Sequence, residues 1–387
     1  MTKVPSWHTP LFPEYRSSRP WVMEDMIACQ VHLADDLERL DVELAPLADA
    51  ARRAAEAEEP IVVIGCGTAW HAAQGFADVV GEALGGTRTA VSRQSFDAAL
   101  DAVGAGLCIA ISNGGRSKAT LDALEAARGA GATTALVTAD PAGPLSQAAD
   151  VVVETMLADA SWCHTIAYLA PIAVGAALGA KIGRTRVEPS ALRATIQDSL
   201  GTVDEARSIA QGLYGVGRIL TVGSGADAVA ARELSLKIEE GAYIAAATHQ
   251  TENLLHGHLV PCDETFGLVV LVTDRRRRAA RADRAAAVLR AARSLGVRTA
   301  AIVTTDVHNL LGTELTSAGR IVVPDSEVLP AALASYVSTA AAFQYVAVEL
   351  ADCVGANPDF IRRDFEEYRR AYDLADHKYP REPVESG

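Results

Sequence analysis

The chain has 387 residues, which is longer than one ordinary domain and long enough for two α/β domains. Its formal net charge of −14 and pI near 5.1 argue against a surface that binds nucleic acid. The six cysteines show no Cys-x-x-Cys spacing, which favours reduced thiols over a disulfide framework or a zinc site. The sequence shows no secretory signal and no unbroken apolar run of the ~18 residues that a membrane span needs, so we expect a cytoplasmic protein.

The most informative pattern is a unit that occurs twice. Residues 60–70 read PIVVIGCGTAW, and residues 217–229 read GRILTVGSGADAV. Each is an apolar β-strand pattern that ends in Gly-x-Gly and passes into an alanine-rich helical pattern. Further apolar runs predict buried strands, in chain order at residues 106–112, 133–138, 266–273 and 298–305. This order predicts an α/β fold with two domains, each a parallel sheet flanked by helices.

The same patterns divide the chain into five predicted segments. Apolar residues at helical spacing predict that the lead-in contains a helix. The charged segment that follows the second domain has few apolar residues and predicts a tail. The segments are a lead-in at residues 1–58, a first α/β domain at 59–188, a helical connector at 189–215, a second α/β domain at 216–354 and a tail at 355–387.

A candidate anion-binding loop follows the second predicted strand of the first domain, where residues 112–120 read SNGGRSKAT. Ser112, Ser117 and Thr120 carry hydroxyl groups that can donate to an oxyanion, and two glycines allow a tight turn at the start of a helix. The alternative is that these residues only cap the helix, which serine, threonine and asparagine often do. No Walker lysine follows the glycines, which argues against a nucleoside triphosphate.

A candidate acid–base segment lies at residues 232–259 of the second domain. Glu233, Lys237 and Glu240 have the spacing of one helix face. Either they form a surface ladder of ion pairs, or a partly desolvated carboxylate among them acts as a general base. His256 and His258 follow in a glycine-centred turn, and without a third ligand at suitable spacing we favour proton transfer over metal binding.

These motifs resemble the sugar isomerase (SIS) domain proteins, in particular the isomerase half of glucosamine-6-phosphate synthase, the glutamine–fructose-6-phosphate amidotransferase. The resemblance spans residues 19 to about 363 and rests on IGCGTAWHA, SNGGRSKAT and ELSLKIEEGAYIAAATHQTENLLHGHL. It implies two tandem SIS domains, each a flavodoxin-like three-layer sandwich. No glutaminase domain precedes this half, so glutamine hydrolysis is not expected.

The resemblance also implies roles for individual residues. Glu240 would move a proton between C1 and C2 of the sugar, Lys237 would support the ring oxygens or the base, and His256 would open the sugar ring from a neighbouring subunit. The remaining implied positions bind the sugar phosphate. They are Cys66, Gly67, Thr68, Ser112, Asn113, Gly114, Ser117 and Thr120.

The sequence departs from the family pattern at several positions. Ala69 replaces the serine of the first turn, and Arg116 replaces an acidic residue, where it could add a phosphate contact. The family's imine-forming tail lysine matches Arg363, which cannot form a Schiff base, so we expect Arg363 to bind the substrate without reacting with it. His164 is either a substrate contact or a buried residue that caps a helix.

Together these observations predict a phosphosugar-binding enzyme that needs no metal or organic cofactor. The expected reaction is aldose–ketose isomerisation, or deamination or deglycation of an amino-sugar phosphate, through an enediol or enolamine. The alternative is a protein that binds phosphosugars only to sense them, which would need the loop at residues 112–120 but neither Glu240 nor His256. We expect a homodimer or higher homo-oligomer, and neither a nucleic-acid nor a membrane partner.

Overall fold

The computed structural model describes residues 13–86, 90–102, 104–183 and 185–375. The two ends of the predicted lead-in and tail, residues 1–12 and 376–387, lie outside this description. The chain divides into two compact units. Unit A consists of Asp35–Asp159, Ile166–Arg186 and Arg362–Gly387, and unit B of Met1–Ala34, Ala160–Thr165 and Val187–Ile361.

The first half of the chain begins with helices and continues into a β/α alternation. The predicted lead-in helix is broken into three helices, first by a 3₁₀ turn at Gln30–His32 and again at Leu44. The elements are α1 (Val22–Cys29), α2 (Leu33–Glu43), α3 (Ala45–Glu56), β1 (Ile61–Gly65), α4 (Thr68–Ala83), β2 (Ala90–Gln94), α5 (Ser95–Leu100), β3 (Leu107–Ile111), α6 (Lys118–Gly129), β4 (Thr133–Thr138), β5 (Val151–Glu154) and α7 (Ile166–Ile182).

The second half repeats the alternation after two connecting helices. This half also has a short π-helical segment at Ile238–Ala242 and a segment at Leu254–His258 that is kinked at His256 and Gly257. The elements are α8 (Pro189–Leu200), α9 (Val203–Leu213), β6 (Arg218–Gly223), α10 (Ala226–Lys237), β7 (Ala245–Gln250), α11 (Thr251–Asn253), β8 (Phe266–Val272), α12 (Arg278–Ser294), β9 (Arg298–Thr304), α13 (Thr305–Leu310), β10 (Gly319–Val323), α14 (Ala331–Cys353) and α15 (Glu366–Ala375).

Each unit contains one parallel five-stranded sheet flanked by helices, as the sequence predicts. The strand order is β2-β1-β3-β4-β5 in unit A and β10-β9-β8-β6-β7 in unit B. The strand that precedes each Gly-x-Gly turn is interior, since β1 lies between β2 and β3, and β6 lies between β7 and β8. The two turns therefore occupy equivalent places at the carboxyl ends of their sheets.

The cores consist of strand side chains packed under helices. All five residues of β1 and all five of β3 are buried, which agrees with their continuous apolar runs. In unit A, Gly175 of α7 approaches Phe76 of α4 so closely that a Cβ would lie 2.8 Å from the ring. In unit B, α14 is long and apolar enough to cross a membrane by length and composition, but its most apolar window is completely buried within the fold.

Candidate functional site

The first Gly-x-Gly turn, in unit A, connects β1 to α4. A Cβ on Gly65 would lie 2.3 Å from the carbonyl oxygen of Ala69, so only glycine allows the helix to start this close to the strand. Gly67 adopts φ +57° and precedes the first residue of α4. In the described part of the chain, no atom beyond Gly67 and its two chain neighbours lies within 4 Å of the position that its Cβ would occupy. The turn therefore leaves open space at the N-terminus of a 16-residue helix, where the helix dipole favours an anion.

The loop between β3 and α6 is braced against the end of β4. The carbonyl of Asn113 accepts hydrogen bonds from Ala139 N at 3.0 Å and from Thr138 Oγ1 at 3.1 Å. Gly115 adopts φ +59°, and a Cβ there would lie 3.2 Å from a backbone oxygen. By contrast, Gly114 is exposed and has open space around it. These contacts hold one side of the loop against the end of β4 and leave the side with Gly114 open.

The thiol of Cys66 links the first turn to this loop. Its Sγ accepts a hydrogen bond from the Ser117 hydroxyl at 3.9 Å and from Gln94 Nε2 at 3.7 Å, and it lies 4.0 Å from Thr120 Oγ1. The Ser95 hydroxyl lies 3.0 Å from Thr120 Oγ1. Three residues that the sequence proposes as phosphate ligands are thus in one cluster, and Gln94 and Ser95 join them.

Other predicted residues of this loop are placed around the cluster. Ser112 is buried directly after β3, and its backbone N–H donates to Val137 O at 3.1 Å. Ser117 occupies the N-cap position of α6, but its side chain makes no capping hydrogen bond. The interpretation as a simple helix cap is therefore wrong for Ser117. Thr68 is buried in the first turn of α4, and Arg116 lies 3.4 Å from Asp140, with both side chains partly exposed.

The second Gly-x-Gly turn, in unit B, is filled by side chains of the protein itself. A Cβ on Gly225 would lie 2.6 Å from Asp274 Oδ2 and 2.6 Å from an Arg281 nitrogen. Asp274 accepts a hydrogen bond from Ala226 N at 3.3 Å, and Arg281 donates to the Ser224 hydroxyl at 2.6 Å. The carboxylate of Asp274 thus occupies the helix N-terminus that the corresponding turn in unit A leaves open.

The acid–base segment of unit B forms a buried cluster. Lys237 has no exposed side-chain surface and is ion-paired with Glu233, 3.5 Å away and equally buried, and with Glu240. The Glu240 side chain keeps 25% of its surface exposed. Burial alone would lower the pKa of Lys237, but the charges of Glu240 and Glu233 raise it, so the lysine stays protonated. The alternative of a surface ladder of ion pairs is wrong, because two of the three side chains are fully buried.

Glu240 lies in the π-helical segment Ile238–Ala242, directly after α10. Such a segment often marks a functional site. Its neighbour Glu239 is exposed and accepts a hydrogen bond from Ala246 N at 3.2 Å, at the start of β7. The two adjacent carboxylates therefore face different surroundings: Glu240 contacts the buried lysine and Glu239 caps a strand.

Two further segments of unit B, at residues 160–165 and 357–358, pack against the turn at residues 240–243. The sequence predicts neither contact. A Cβ on Gly241 would lie 3.3 Å from the Pro358 side chain and 3.7 Å from Cys163 Sγ. Tyr243, at the left-handed φ of 58°, donates a hydrogen bond from its hydroxyl to Asn357 O at 2.9 Å. Burial raises the pKa of Cys163 well above its ordinary value, so this thiol is neutral. Only the lack of a side chain at Gly241 could have signalled this packing.

The segment around Asn357 and Pro358 is anchored by a buried carboxylate. Asp359 accepts hydrogen bonds from Val22 N at 2.9 Å and Met23 N at 2.8 Å, in the first turn of α1. Its own carbonyl accepts a bond from Trp162 N at 3.0 Å. Burial raises the pKa of Asp359. This anchor joins the start of α1, the segment at residues 160–165 and the Glu240 turn within unit B.

The predicted histidines have separate partners. His256 is exposed, and its Nε2 lies 3.0 Å from Glu252 Oε1. The ring of His258 stacks on His249, with 3.9 Å between ring centroids. His164 is half-buried and belongs to unit B. Within residues 13–86, 90–102, 104–183 and 185–375, no group of three or more His, Cys, Asp or Glu side chains is arranged to hold a metal ion.

Arg363, the predicted counterpart of the family's tail lysine, lies in the part of the tail that belongs to unit A. Its Cζ lies 3.5 Å from the centroid of the Tyr372 ring in α15. This is a cation–π contact within the tail itself. Substrate binding by Arg363 stays a prediction.

The sequence profile of the SIS domain matches residues 56–180 and 212–348. Among curated proteins, a glutamine–fructose-6-phosphate aminotransferase of Streptomyces coelicolor is 27% identical over 209 residues, which cover 51% of this chain and 34% of that protein. The corresponding protein of Zymomonas mobilis is 28% identical over 183 residues, 43% of this chain and 30% of that protein. The chain thus spans about a third of the length of these relatives.

Solved structures share the fold at lower identity. The C-terminal domain of glucosamine–fructose-6-phosphate aminotransferase from Francisella tularensis superposes with a TM-score of 0.75 at 16% identity, over 89% of this chain and 99% of that one. Tagatose-6-phosphate ketose/aldose isomerase from Escherichia coli gives 0.72 at 19% identity, over 91% and 98%. Glucosamine-6-phosphate deaminase from Thermotoga maritima gives 0.65 at 14% identity, over 88% and 98%.

Proposed function

The chain belongs to the SIS domain family, and from this premise we propose that it is an enzyme acting on a phosphorylated sugar or amino sugar. Its reaction is aldose–ketose isomerisation, or removal of an amine from an amino-sugar phosphate, through an enediol or enolamine. The proposal includes a cytoplasmic location and chemistry carried by side chains alone. The single observation that carries it is the Lys237 cluster, in which a buried cation holds one partly exposed carboxylate.

The Lys237 cluster suits proton transfer at a carbon next to a carbonyl. Lys237 is fixed by fully buried Glu233, and this leaves Glu240 as the carboxylate with exposed surface. Glu240 takes a proton from C2 of the open-chain aldose and returns it to C1, while the hydroxyl proton on O2 passes to O1, which gives the ketose. Lys237 then lies beside the negative charge that develops on the enediol oxygens, where a preorganised cation contributes most. Positioned proton transfer is worth ~10²–10⁴-fold in rate.

The open loop of unit A suits the phosphate. Ser112, Ser117 and Thr120 offer hydroxyl groups, and Gly67 and Gly114 leave space for an anion near the start of two helices. Arg116 can exchange its partly exposed contact with Asp140 for a phosphate oxygen. We propose the same role for Cys66, Asn113 and Thr68.

A substrate panel tests the proposal. Fructose 6-phosphate, tagatose 6-phosphate and glucosamine 6-phosphate are assayed for aldose–ketose conversion and for ammonia release. We expect turnover of at least one by the wild-type chain and none by Glu240→Gln, which keeps the size of the side chain but cannot accept the proton. If the chain binds a sugar phosphate but turns over none, and Glu240→Gln binds equally well, the sensing function replaces the enzymatic one.

A second part of the proposal is that the chain forms a homodimer in which His256 of one copy contributes to the active site of the other. The exposure of the His256 side chain supports it. We expect Glu240→Gln and His256→Asn each to be inactive alone. Mixing the two variants should restore part of the activity, because one site of a mixed dimer then has both residues. Full activity of a monomer, established by sedimentation at the assay concentration, would contradict shared sites.

A further inference from the structure

Two charged side chains, Arg284 and Glu252, connect His256 to the body of unit B. His256 belongs to a turn in which Gly257 adopts φ +120°, so the turn projects the ring into solvent. Its Nε2 lies 3.0 Å from Oε1 of Glu252, which is four residues earlier. Only one ring nitrogen is engaged by this contact.

Arg284 of α12 makes a bidentate contact with the Glu252 carboxylate. The Nε of Arg284 donates to Oε2 at 2.6 Å, and its Nη2 donates to Oε1 at 2.5 Å. This side-by-side geometry fixes the plane of the carboxylate as well as its position, which a lysine could not do. The contacts with Arg284 and His256 lower the pKa of Glu252 to about 2, so the carboxylate is ionised at physiological pH and can only accept hydrogen bonds.

An ionised carboxylate at Nε2 determines which ring nitrogen carries the proton. In a neutral imidazole one nitrogen donates and the other accepts, and the donor is the one that faces the acceptor-only partner. Nε2 therefore holds the proton and Nδ1 keeps its lone pair. His258 does not compete for Glu252, because its ring stacks on His249.

We propose that Glu252 and Arg284 are positioning residues that fix His256 as the Nε2–H tautomer and assign proton exchange with the sugar to Nδ1. This inference rests on the proposed function of His256 in ring opening. In that step Nδ1 takes the proton of the anomeric hydroxyl, and the bond between the anomeric carbon and the ring oxygen breaks. Its electron pair goes to the ring oxygen, the carbonyl forms, and Nδ1 returns the proton to the ring oxygen.

The test reads the tautomer directly by NMR. The full chain is labelled with ¹⁵N-histidine, and long-range ¹H–¹⁵N correlations are recorded without substrate at about pH 8. The His256 signals are identified by their loss in His256→Asn. We expect the Nε2–H pattern in the wild type and a mixture of both tautomers in Glu252→Gln and Arg284→Lys. Glu264→Gln and Arg290→Lys, both at exposed positions of unit B, are the matched controls and should leave the pattern unchanged.

The outcomes separate this inference from the proposed function. An Nδ1–H pattern in the wild type, or an unchanged Nε2–H pattern in Glu252→Gln, overturns it. The readout needs no substrate, so a chain that turns over no sugar phosphate can still show the expected tautomer, and then only the proposed function fails. With an active substrate, Glu252→Gln should lower turnover roughly tenfold, part of the full contribution of a general base.

Discussion

The glycine turns of units A and B have nearly the same backbone. At Gly67 φ and ψ are 57° and −131°, and at Gly225 they are 64° and −133°. A Cβ on the glycine before each would lie 2.3 Å from a carbonyl oxygen of the following helix, from Ala69 in one unit and Asp227 in the other. Their surroundings differ, because the turn in unit A is open while Asp274 and Arg281 fill the turn in unit B.

The difference shows that two copies of one fold can use the same turn differently. In unit B, Asp274 supplies the negative charge that the helix N-terminus attracts, and Arg276 and Arg281 are ion-paired with it. The turn in unit B is thus satisfied internally, and the unusual chemistry of this unit lies at the other end of α10, at Lys237 and Glu240. In unit A the N-terminus of the corresponding helix stays accessible, which is where we propose that the phosphate binds.

The largest difference that we expect between the two turns is in how much an alanine at the second glycine lowers the free energy of unfolding. Gly67→Ala and Gly225→Ala introduce the same backbone strain, of order 1–3 kcal/mol, because their dihedral angles match. Gly225→Ala must also displace Asp274 and Arg281, so buried Asp274 loses hydrogen bonds at an additional cost of roughly 1–3 kcal/mol. We expect urea unfolding to show a larger loss for Gly225→Ala. Equal losses would mean that the turn in unit B is no more filled than the one in unit A.

A smaller effect, on binding alone, compares the hydroxyl groups at the two turns. Ser112→Ala combined with Ser117→Ala should weaken binding of fructose 6-phosphate in calorimetry at least about tenfold, because hydrogen bonds to a charged group are worth about 1.5–3 kcal/mol. Ser224→Ala is the matched control, since its hydroxyl is already bound to Arg281. Unchanged affinity in the double variant, or an equal loss in Ser224→Ala, would remove the proposed phosphate site from unit A.

The sequence predicts the interior strands of both sheets and misses the edges. β1, β3, β4, β6, β8 and β9 are continuous apolar runs because helices cover them on both faces. The four missed strands, β2, β5, β7 and β10, are the edge strands of their sheets. Edge strands are short and partly exposed, so their patterns are mixed; β7, for example, has no fully buried residue and lies within the segment whose acid–base residues have helical spacing.

In the candidate site, too, the sequence predicts contacts between residues that are close along the chain and misses contacts between distant residues. The spacing of Glu233, Lys237 and Glu240 predicts one helix face, and the structure places them in contact. Gln94 could not be predicted, because it is the last residue of a missed edge strand, and the packing of Pro358 on Gly241 joins residues more than a hundred positions apart. Contacts of that range leave no local pattern in a single sequence.

The central claim is that Glu240 transfers the proton, and solvent isotope exchange tests it most directly. The sugar phosphate that the wild-type chain turns over is incubated in D₂O with wild type, Glu240→Gln or Glu239→Gln, and deuterium at C1 and C2 is followed by NMR. We expect Glu240→Gln to exchange ~10²–10⁴-fold more slowly, while Glu239→Gln stays near the wild-type rate because Glu239 is exposed and caps β7. Exchange by Glu240→Gln at the wild-type rate, or its loss in Glu239→Gln instead, would contradict the account.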